Sequence, residues 1–497
     1  MSKNRCPAHC GCNSHFDRRS FLKGSTIALA GTAILGSYGI SGCTSTFTPA
    51  FARIRPAGPG SQYTPRIKAA FIRRKEDYGM WWPGAVYDGE AAREKYTKLI
   101  RETADEKGID LSLRAEPIFS HAEADQWIAE AQKQEIDGLV LLLLDRQQHT
   151  WPTVQKATDS GIPSVIFSPL GTSFTTNTVG LAEKPGRIIY STNDFSQAQY
   201  GLQMLKAAAR MRRSRCLVIA GKQERVQQLA DTGITLQYIP ADRFLETYNS
   251  LKVDDELENM ADDYIRQSRK QVGATREDVI NGIKSYKVAG SLLEEYQGDA
   301  ISMDCLGALA NEPISLPCIS WSRMNDDGIP AACEADTGAI ASQIIVHYLF
   351  DRPGFQQDPV ADTSDNTLIG AHCSSPTRLN GFDQDPEPFD LTHHHGNRDA
   401  VPRTIWKKGQ RITCFDFMPA PLNSQESSKI LVSAGTVVGN MNVPPSGGCV
   451  VSVKAKMDGN HNILAYPGFH QLFFYGDYVN QLTDFSQLCG FQTTRVT

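Results

Sequence analysis

The alternation of apolar and polar positions after residue 65 predicts a regular succession of strands and helices. Short apolar runs such as 67–72 predict β-strands, whereas apolar residues spaced among Glu, Lys and Arg over 89–106 predict a helix. The uninterrupted apolar run 138–144 is typical of a strand that is covered on both faces. Because strands and helices alternate, we expect parallel sheets with right-handed crossover connections.

The same pattern predicts further elements along the rest of the chain. The predicted strands are 111–118, 162–167, 216–220, 234–239 and 300–305, and the predicted helices are 121–133, 152–160, 194–212, 254–270 and 275–296. From Val360 onward, helix signals become few and strand-like runs alternate with loops rich in Pro, Gly and Asp. These runs are 367–372, 413–417, 429–433, 449–453 and 471–475. The change of pattern predicts a β-rich third domain.

The chain is therefore predicted to be an α/β protein with two parallel-sheet domains and a β-rich C-terminal domain. Its length of 497 residues is sufficient for two or three domains with sizeable cores. We place the three domains at 66–190, 191–355 and 356–497. A segment rich in Pro, Ser and Gly at 44–65 is interpreted as a linker.

The first 43 residues are predicted to be an export signal. Arg18 and Arg19 precede an uncharged run at 24–42, a pattern that resembles a twin-arginine signal. The run ends in Ser-Gly-Cys43, which is similar to a lipobox whose Cys thiol receives a diacylglycerol. We expect the twin-arginine translocase to carry the chain across the bacterial inner membrane, and a lipid anchor to hold it in the periplasm or cell envelope. A transmembrane anchor is the alternative, although the run is short and Gly-rich.

Charge and cysteine content limit the classes of partner. The chain has 50 Lys and Arg against 55 Asp and Glu, and a net charge of −5 gives no general reason to expect nucleic-acid binding. Twelve cysteines are present, but those after Cys43 are scattered and form no C-x-x-C pair. We interpret the cysteines in apolar runs, such as Cys216 and Cys449, as buried apolar residues rather than as a disulfide framework.

Candidate chemistry concentrates in the second half of the chain. Glu334 follows an apolar stretch just before a predicted helix at 340–349, and Asp358 lies beyond that helix. A strand–helix–strand unit can return both carboxylates to one end of a sheet. His372 ends an apolar run, and His470 lies between aromatic residues. Carboxylates with an imidazole suit a divalent cation such as Mn²⁺, whereas zinc would favour thiolates. Taken without any family resemblance, Glu334 and Asp358 are better interpreted as surface or capping residues, and His470 as a core histidine with satisfied hydrogen bonds.

Three segments contain these candidate residues: Cys333-Glu-Ala-Asp-Thr-Gly-Ala, Arg352-Pro-Gly-Phe-Gln-Gln-Asp, and Gly468-Phe-His before Phe473-Phe-Tyr-Gly-Asp. They resemble segments of the fucose/arabinose isomerase superfamily, most closely the C-terminal region of fucose isomerases and their shorter bacterial relatives. The resemblance is close over roughly 300–497 and only architectural over 66–299. It implies two flavodoxin-like (Rossmann-like) α/β domains, a C-terminal β-barrel domain and a closed homo-oligomer.

The resemblance also implies an activity and a set of site residues. Glu334, Asp358 and His470 would bind Mn²⁺, and the two carboxylates would move a proton between C1 and C2 of an open-chain sugar through a cis-enediol. This reaction is aldose–ketose isomerisation. Because arabinose isomerases use a histidine after a similar strand, His372 is an alternative ligand. In that alignment the second carboxylate is Asp362 or Asp365.

Other residues have two interpretations each. Trp81 and Trp82 are candidates for an aromatic sugar platform or for core packing, and Asp336 is a further candidate substrate contact. His393-His-His395, in an acidic Pro-rich stretch at 382–399, is interpreted as a solvated loop, with an accessory metal site or subunit contact as the alternative. At the level of the whole protein, the alternative to an isomerase is an exported, non-catalytic sugar-binding lipoprotein that keeps the fold.

Overall fold

Parallel strands alternate with helices through the first part of the chain.

The protein is described by a computed structural model over residues 53–76, 79–80, 87–146, 149–309, 312, 314–394, 398–421, 424–442, 449–459 and 462–496. The predicted export motif Arg18-Arg19, the predicted lipidation site Cys43 and the tryptophans Trp81 and Trp82 lie outside these residues.

The first sheet is parallel throughout, as the alternating pattern predicted. Its region contains β1 (Arg66–Ile72), β2 (Gly79–Met80), β3 (Tyr87–Asp88), α1 (Gly89–Lys107), β4 (Asp110–Leu113), α2 (His121–Lys133), β5 (Gly138–Leu143), α3 (Thr150–Asp159), β6 (Ser164–Ser168), α4 (Thr175–Thr178), β7 (Arg187–Ser191) and α5 (Ser196–Met211). The strand order is β4-β1-β5-β6-β7, and β2 pairs separately with β3. All six residues of β5 are buried, as expected for a central strand covered on both faces. Strand β4 ends at Leu113, earlier than predicted.

A second sheet follows, in which four strands are parallel and one edge strand is antiparallel. The elements are β8 (Arg215–Ile219), β9 (Arg225–Gln228), β10 (Thr235–Ile239), α6 (Ala241–Ser250), α7 (Asp255–Gln267), β11 (Gln271–Val272), α8 (Arg276–Glu295), β12 (Ala300–Met303), α9 (Cys305–Leu309), α10 (Cys318–Asp326), β13 (Ala331–Cys333) and α11 (Thr337–Phe350). The strand order is β13-β12-β8-β10-β9, with β9 antiparallel to β10. Helix α6 was not predicted from the sequence.

The C-terminal part contains a closed antiparallel barrel of six strands, which confirms the predicted β-rich barrel. The elements are β14 (Phe355–Asp362), β15 (Thr367–His372), β16 (Phe389–His394), β17 (Arg398–Thr404), β18 (Arg411–Met418), β19 (Lys429–Asn440), β20 (Val451–Met457), a 3₁₀ turn (Ile463–Ala465), β21 (Gln471–Tyr475), α12 (Val479–Cys489) and β22 (Gln492–Arg495). The barrel order is β18-β21-β14-β15-β20-β19, and it closes because β18 also pairs with β19. Strand β22 adds to β19 in parallel outside the barrel.

The predicted solvated loop at 382–399 is wrong where it covers β16. Residues 389–394 form a strand that pairs with β17 and with β11 in a small three-stranded sheet. Phe389 and Leu391 are fully buried, and His394 is 2% exposed. The apolar residues of the segment therefore outweigh its acidic flanks, because Phe389 packs on Tyr264 of α7 and the neighbouring strand β17 packs on α8 and α10. His395 lies outside the described residues.

Helix α11 connects the second sheet to the barrel. It is apolar on almost all sides, and its residues from Gly338 to Val346 are buried. It packs against α5 on one side and against barrel strand β18 on another. The loop that precedes this helix is therefore held between the parallel sheet and the barrel. Among the described helices, none combines the length and the apolar character needed to cross a membrane.

Candidate metal centre

The candidate residues converge where the second parallel sheet meets the barrel. Glu334 directly follows β13 at the carboxyl end of the sheet, whereas Asp358 lies within β14 of the barrel. The expectation that one sheet carries both carboxylates is therefore wrong, because the strand after α11 joins a different sheet. The two carboxylates approach each other across the junction between these sheets.

Strand pairing in the barrel brings the other candidates to the same place. Asp358 is paired with Ala371, so it is adjacent in register to His372 at the end of β15. On its other side β14 pairs with β21, with Gln357 opposite Gln471, which leaves His470 beside Asp358. Asp358 and His372, which were predicted as ligands in alternative alignments, thus belong to one cluster, because β15 ends and β21 begins on either side of Asp358.

The donor atoms of the cluster lie close to one another. His470 Nε2 is 3.2 Å from Asp358 Oδ1 and 3.3 Å from Glu334 Oε2, and His372 Nε2 is 3.7 Å from Glu334 Oε1. One ligand atom from each of Glu334, His372 and His470 lies within 4.8 Å of the other two. The two imidazoles are 3% and 7% exposed, whereas each carboxylate is about one-third exposed, at 34% and 30%. The two carboxylates therefore form the solvent-facing side of the cluster, and the two imidazoles form its buried side.

Asp336 contacts the ring nitrogen of His470 that points away from Glu334 and Asp358. Its Oδ2 lies 2.8 Å from His470 Nδ1, and its Oδ1 accepts a hydrogen bond from the Ala339 backbone N–H at the start of α11. A histidine ligand commonly donates its second ring nitrogen to a carboxylate, which fixes the ring orientation and leaves the other nitrogen for the metal. In the structure Asp336 thus contacts His470 and caps a helix, and its role as a substrate contact stays a prediction.

Three residues of the site have left-handed backbone conformations, which non-glycine residues rarely adopt. Glu334 and Ala335 have φ of 64° and 51°, and His470 has φ of 52°. Such conformations cost about 1–2 kcal/mol per residue and persist where the surrounding structure enforces them. Their occurrence at two of the four chain segments that supply candidate ligands supports a functional role for this junction.

The electrostatic field of the cluster favours a positive charge at its centre. Burial lowers the pKa of His470, but the neighbouring carboxylates of Asp336, Asp358 and Glu334 outweigh it and raise that pKa to about 11. The imidazole of His470 lowers the pKa of Glu334 below its ordinary value, although burial opposes this shift. A proton on His470 and a cation between the carboxylates are therefore competing ways to balance the same negative charge.

The chemistry of the donor set fits Mn²⁺. Asp358 Oδ1 and His470 Nε2 are buried atoms with no well-formed hydrogen bond among the described residues. Buried polar atoms are normally satisfied, so these two indicate a missing partner such as a cation. Carboxylate oxygens with imidazole nitrogens suit a Mn²⁺-type ion better than a thiophilic one. Glu334, Asp358, His470 and His372 are the residues that could hold it.

The other predicted carboxylates lie at the far end of the β14–β15 hairpin. Asp362 is four residues beyond Asp358 along β14, about 13 Å for an extended strand. Lys454 Nζ lies 2.6 Å from Asp362 and 2.8 Å from Asp365, and the hydrogen bond from Lys454 lowers the pKa of Asp362 to about 2. These two residues thus form an ion-pair network at the turn, while Asp358 is the carboxylate beside His470.

Phe469 is a neighbour of the site that the sequence reasoning did not single out. Its ring is 62% exposed and stacks on His470 with ring centroids 4.4 Å apart. The only sequence signal was its position in the Gly468-Phe-His segment. An exposed aromatic ring beside carboxylates is a suitable surface for the apolar face of a sugar.

Comparisons with known proteins do not assign the chain to a family. No family model matches it, and no curated protein matches it. Among solved structures, a chain titled "XylFII molecule" aligns at 12% identity over 48% of this chain and 80% of its own, with a TM-score of 0.18. An ABC transporter solute-binding protein from Burkholderia multivorans aligns at 10% identity over the same shares of the two chains, with a TM-score of 0.17. At such TM-scores these similarities carry no argument about fold or function.

Proposed function

We propose that this chain is an isomerase-like protein of the fucose/arabinose isomerase superfamily that interconverts an aldose and a ketose with Mn²⁺. The observation that carries the proposal is the position of His470 Nε2, 3.2 Å from Asp358 and 3.3 Å from Glu334. These are the three residues that the family resemblance implies as ligands. Their convergence from separate segments of the chain supports a common site.

The residues of the site have distinct roles in this proposal. The bound cation would polarise the carbonyl and adjacent hydroxyl of an open-chain sugar. Glu334 and Asp358 are both partly exposed, so one of them takes the C2–H proton and returns it to C1 through a cis-enediol, while the other moves the hydroxyl proton from O2 to O1. His470 and His372 are buried and hold their positions, and Phe469 packs against the sugar. The sugar itself is a five- or six-carbon aldose.

We also propose that both parallel-sheet domains have flavodoxin-like folds. The first sheet has its strands in the order second, first, third, fourth and fifth along the chain, which is the order of flavodoxin-like folds. In the second sheet the four parallel strands have the order second, first, third and fourth along the chain, and the antiparallel strand β9 adds at the edge. We assign flavodoxin-like domains to 66–190 and 191–355, with the barrel domain at 356–497. This is the domain sequence implied by the family resemblance.

Export and assembly complete the proposal. Arg18-Arg19 and Cys43 support delivery by the twin-arginine translocase and a lipid anchor in the periplasm or cell envelope. Phe469 beside His470 is 62% exposed, and Val360, on the same strand as Asp358, is 48% exposed. Leu464, in a 3₁₀ turn that contacts this strand, is 72% exposed. Exposed apolar side chains are commonly covered by a partner, and we infer that these contribute to the interface of a homo-oligomer.

Isomerisation in D₂O tests the catalytic proposal. The protein loaded with Mn²⁺ is incubated with a panel of aldoses, and NMR detects both the ketose product and deuterium at C1 or C2. We expect exchange in the natural protein and its loss in Glu334→Gln and in Asp358→Asn. Asp362→Asn, which changes a carboxylate on the same strand, serves as the matched control and should retain activity.

The alternative functions give different outcomes in the same experiment. Tight sugar binding by calorimetry without isomerisation or exchange would favour the non-catalytic sugar-binding lipoprotein. Exchange that persists in both carboxylate variants would place the chemistry on other residues. A hydride shift would yield ketose that retains the substrate hydrogen.

A further inference from the structure

Three cysteines that are scattered in the sequence, Cys318, Cys333 and Cys373, lie together in the core beside the candidate metal centre, and a fourth, Cys305, is in hydrogen-bond contact with Cys333. Cys305 and Cys318 begin helices α9 and α10, Cys333 ends β13, and Cys373 follows β15. All four are buried and none forms a disulfide. The remaining described cysteines, Cys216, Cys414, Cys449 and Cys489, are not in this group, and Cys449 is only half-buried.

Two histidines lie among these thiols. The Sγ atoms of Cys318 and Cys373 and a ring nitrogen of His394 all lie within 4.8 Å of one another. Cys333, Cys373 and His372 form a second group of the same kind, which shares Cys373 with the first. The Cys373 Sγ atom is 3.6 Å from His372 Nδ1, and Cys333 Sγ is 3.1 Å from Ser374 Oγ. Cys373 is therefore the centre of a thiol–imidazole cluster.

This arrangement differs from ordinary core packing. A buried cysteine that only fills space needs apolar neighbours, and Cys216 in β8 is an example. Here thiols contact other thiols and imidazoles, and His394 is 2% exposed. Thiolate and imidazole are the ligands that closed, four-coordinate zinc sites use, and ideal tetrahedral geometry places such sulfurs about 3.8 Å apart. Within each group the ligand atoms already lie within 4.8 Å of one another and need to move by only about 1 Å to reach this spacing. The two groups share Cys373, so Cys333 has to move further than the others to approach Cys318 and His394.

We propose that Cys318, Cys333, Cys373 and His394 form a buried, closed Zn²⁺ site, separate from the carboxylate–imidazole cluster. The three thiols lose their protons when the ion binds, so one Zn²⁺ replaces three H⁺ and no redox change occurs. The four ligands come from α10, β13, the segment after β15 and β16, so the ion would join the second sheet, the barrel and the small sheet. Its role is structural, because no ligand position is open to solvent.

Cobalt substitution tests the proposal on the full chain. The protein is reduced, stripped of metal and titrated with Co²⁺ without oxygen, while absorption records thiolate charge transfer and tetrahedral d–d bands. We expect both bands to saturate at one equivalent and to disappear when Zn²⁺ is added. Cys373→Ser should abolish them, since Cys373 belongs to both groups of ligands. Cys216→Ser, a buried thiol outside the cluster, should leave them unchanged.

A second measurement covers the case in which Cys373→Ser fails to fold. ¹¹³Cd NMR of the natural protein reports the number of sulfur ligands from the chemical shift, and we expect a shift typical of three. Absence of the cobalt bands, their persistence in a folded Cys373→Ser variant, or a disulfide among the four cysteines in the isolated protein would overturn the proposal. Glu334→Gln should retain the cobalt bands, which separates this site from the proposed Mn²⁺ centre.

Discussion

At the scale of single residues, the proposed function depends on the orientation of the His470 ring. Its Nδ1 faces Asp336 at 2.8 Å, and its Nε2 faces two carboxylates at 3.2 Å and 3.3 Å. A ring fixed on one side by a hydrogen bond presents its other nitrogen at a constant angle. Asp336 therefore acts through His470, although it is also the N-cap of α11.

The variant Asp336→Asn separates these two roles of Asp336. Asn caps helices as well as Asp does, so we expect the protein to fold normally. The loss of the carboxylate weakens the orientation of His470, and Mn²⁺ affinity should fall roughly 10–100-fold, the usual effect of removing such a partner. Calorimetric titration of Mn²⁺ measures the change, with Asp362→Asn as the control. An unchanged affinity would contradict a positioning role.

At the scale of elements, the loop between β13 and α11 carries the strain of the site. Ala335 has φ of 51°, between Glu334 in the same conformation and the N-cap of a buried helix. Because glycine adopts this conformation without cost, the strain of this loop can be measured by substitution.

We expect Ala335→Gly to leave the free energy of unfolding unchanged or to raise it by up to about 1 kcal/mol. The reason is that relief of strain in the folded loop offsets the larger conformational entropy of the unfolded chain. The matched control Ala339→Gly, inside α11, should lower stability by about 1 kcal/mol or more. Thermal unfolding of both variants provides the measurement. Equal destabilisation by the two substitutions would show that the loop is not strained.

The elements also show what a sequence can and cannot predict. Strands, helices and the β-rich third domain follow local periodicity, and the motifs around Glu334, Asp358 and His470 are local as well. The junction itself is not local, because nothing near Asp358 indicates that β14 belongs to a different sheet from β13. The burial of His394 was missed for the same reason, since its burial depends on β11 and β17 beside it. Long-range pairing decides these features.

At the scale of the whole molecule, delivery can be tested separately from the site. A twin-arginine translocase reads both arginines, so Arg18→Lys with Arg19→Lys should stop delivery across the inner membrane. Only a thiol at position 43 can be lipidated, so Cys43→Ala should release the exported protein from the membrane. Cell fractionation measures both effects. Unchanged delivery would contradict the export signal, and unchanged membrane attachment would contradict the lipobox.

The closed barrel has a consequence for the order of events during folding. Asp336 and His470 are 134 residues apart in the chain, and they meet only after β21 has inserted between β14 and β18. Non-local strand pairing of this kind is slow to form, since long loops must close first. The candidate centre is therefore formed late in folding. It is formed in the compartment in which the chain completes its barrel. If the twin-arginine route carries the folded chain, the ion is selected from the cytoplasmic metal pool before the protein reaches its destination.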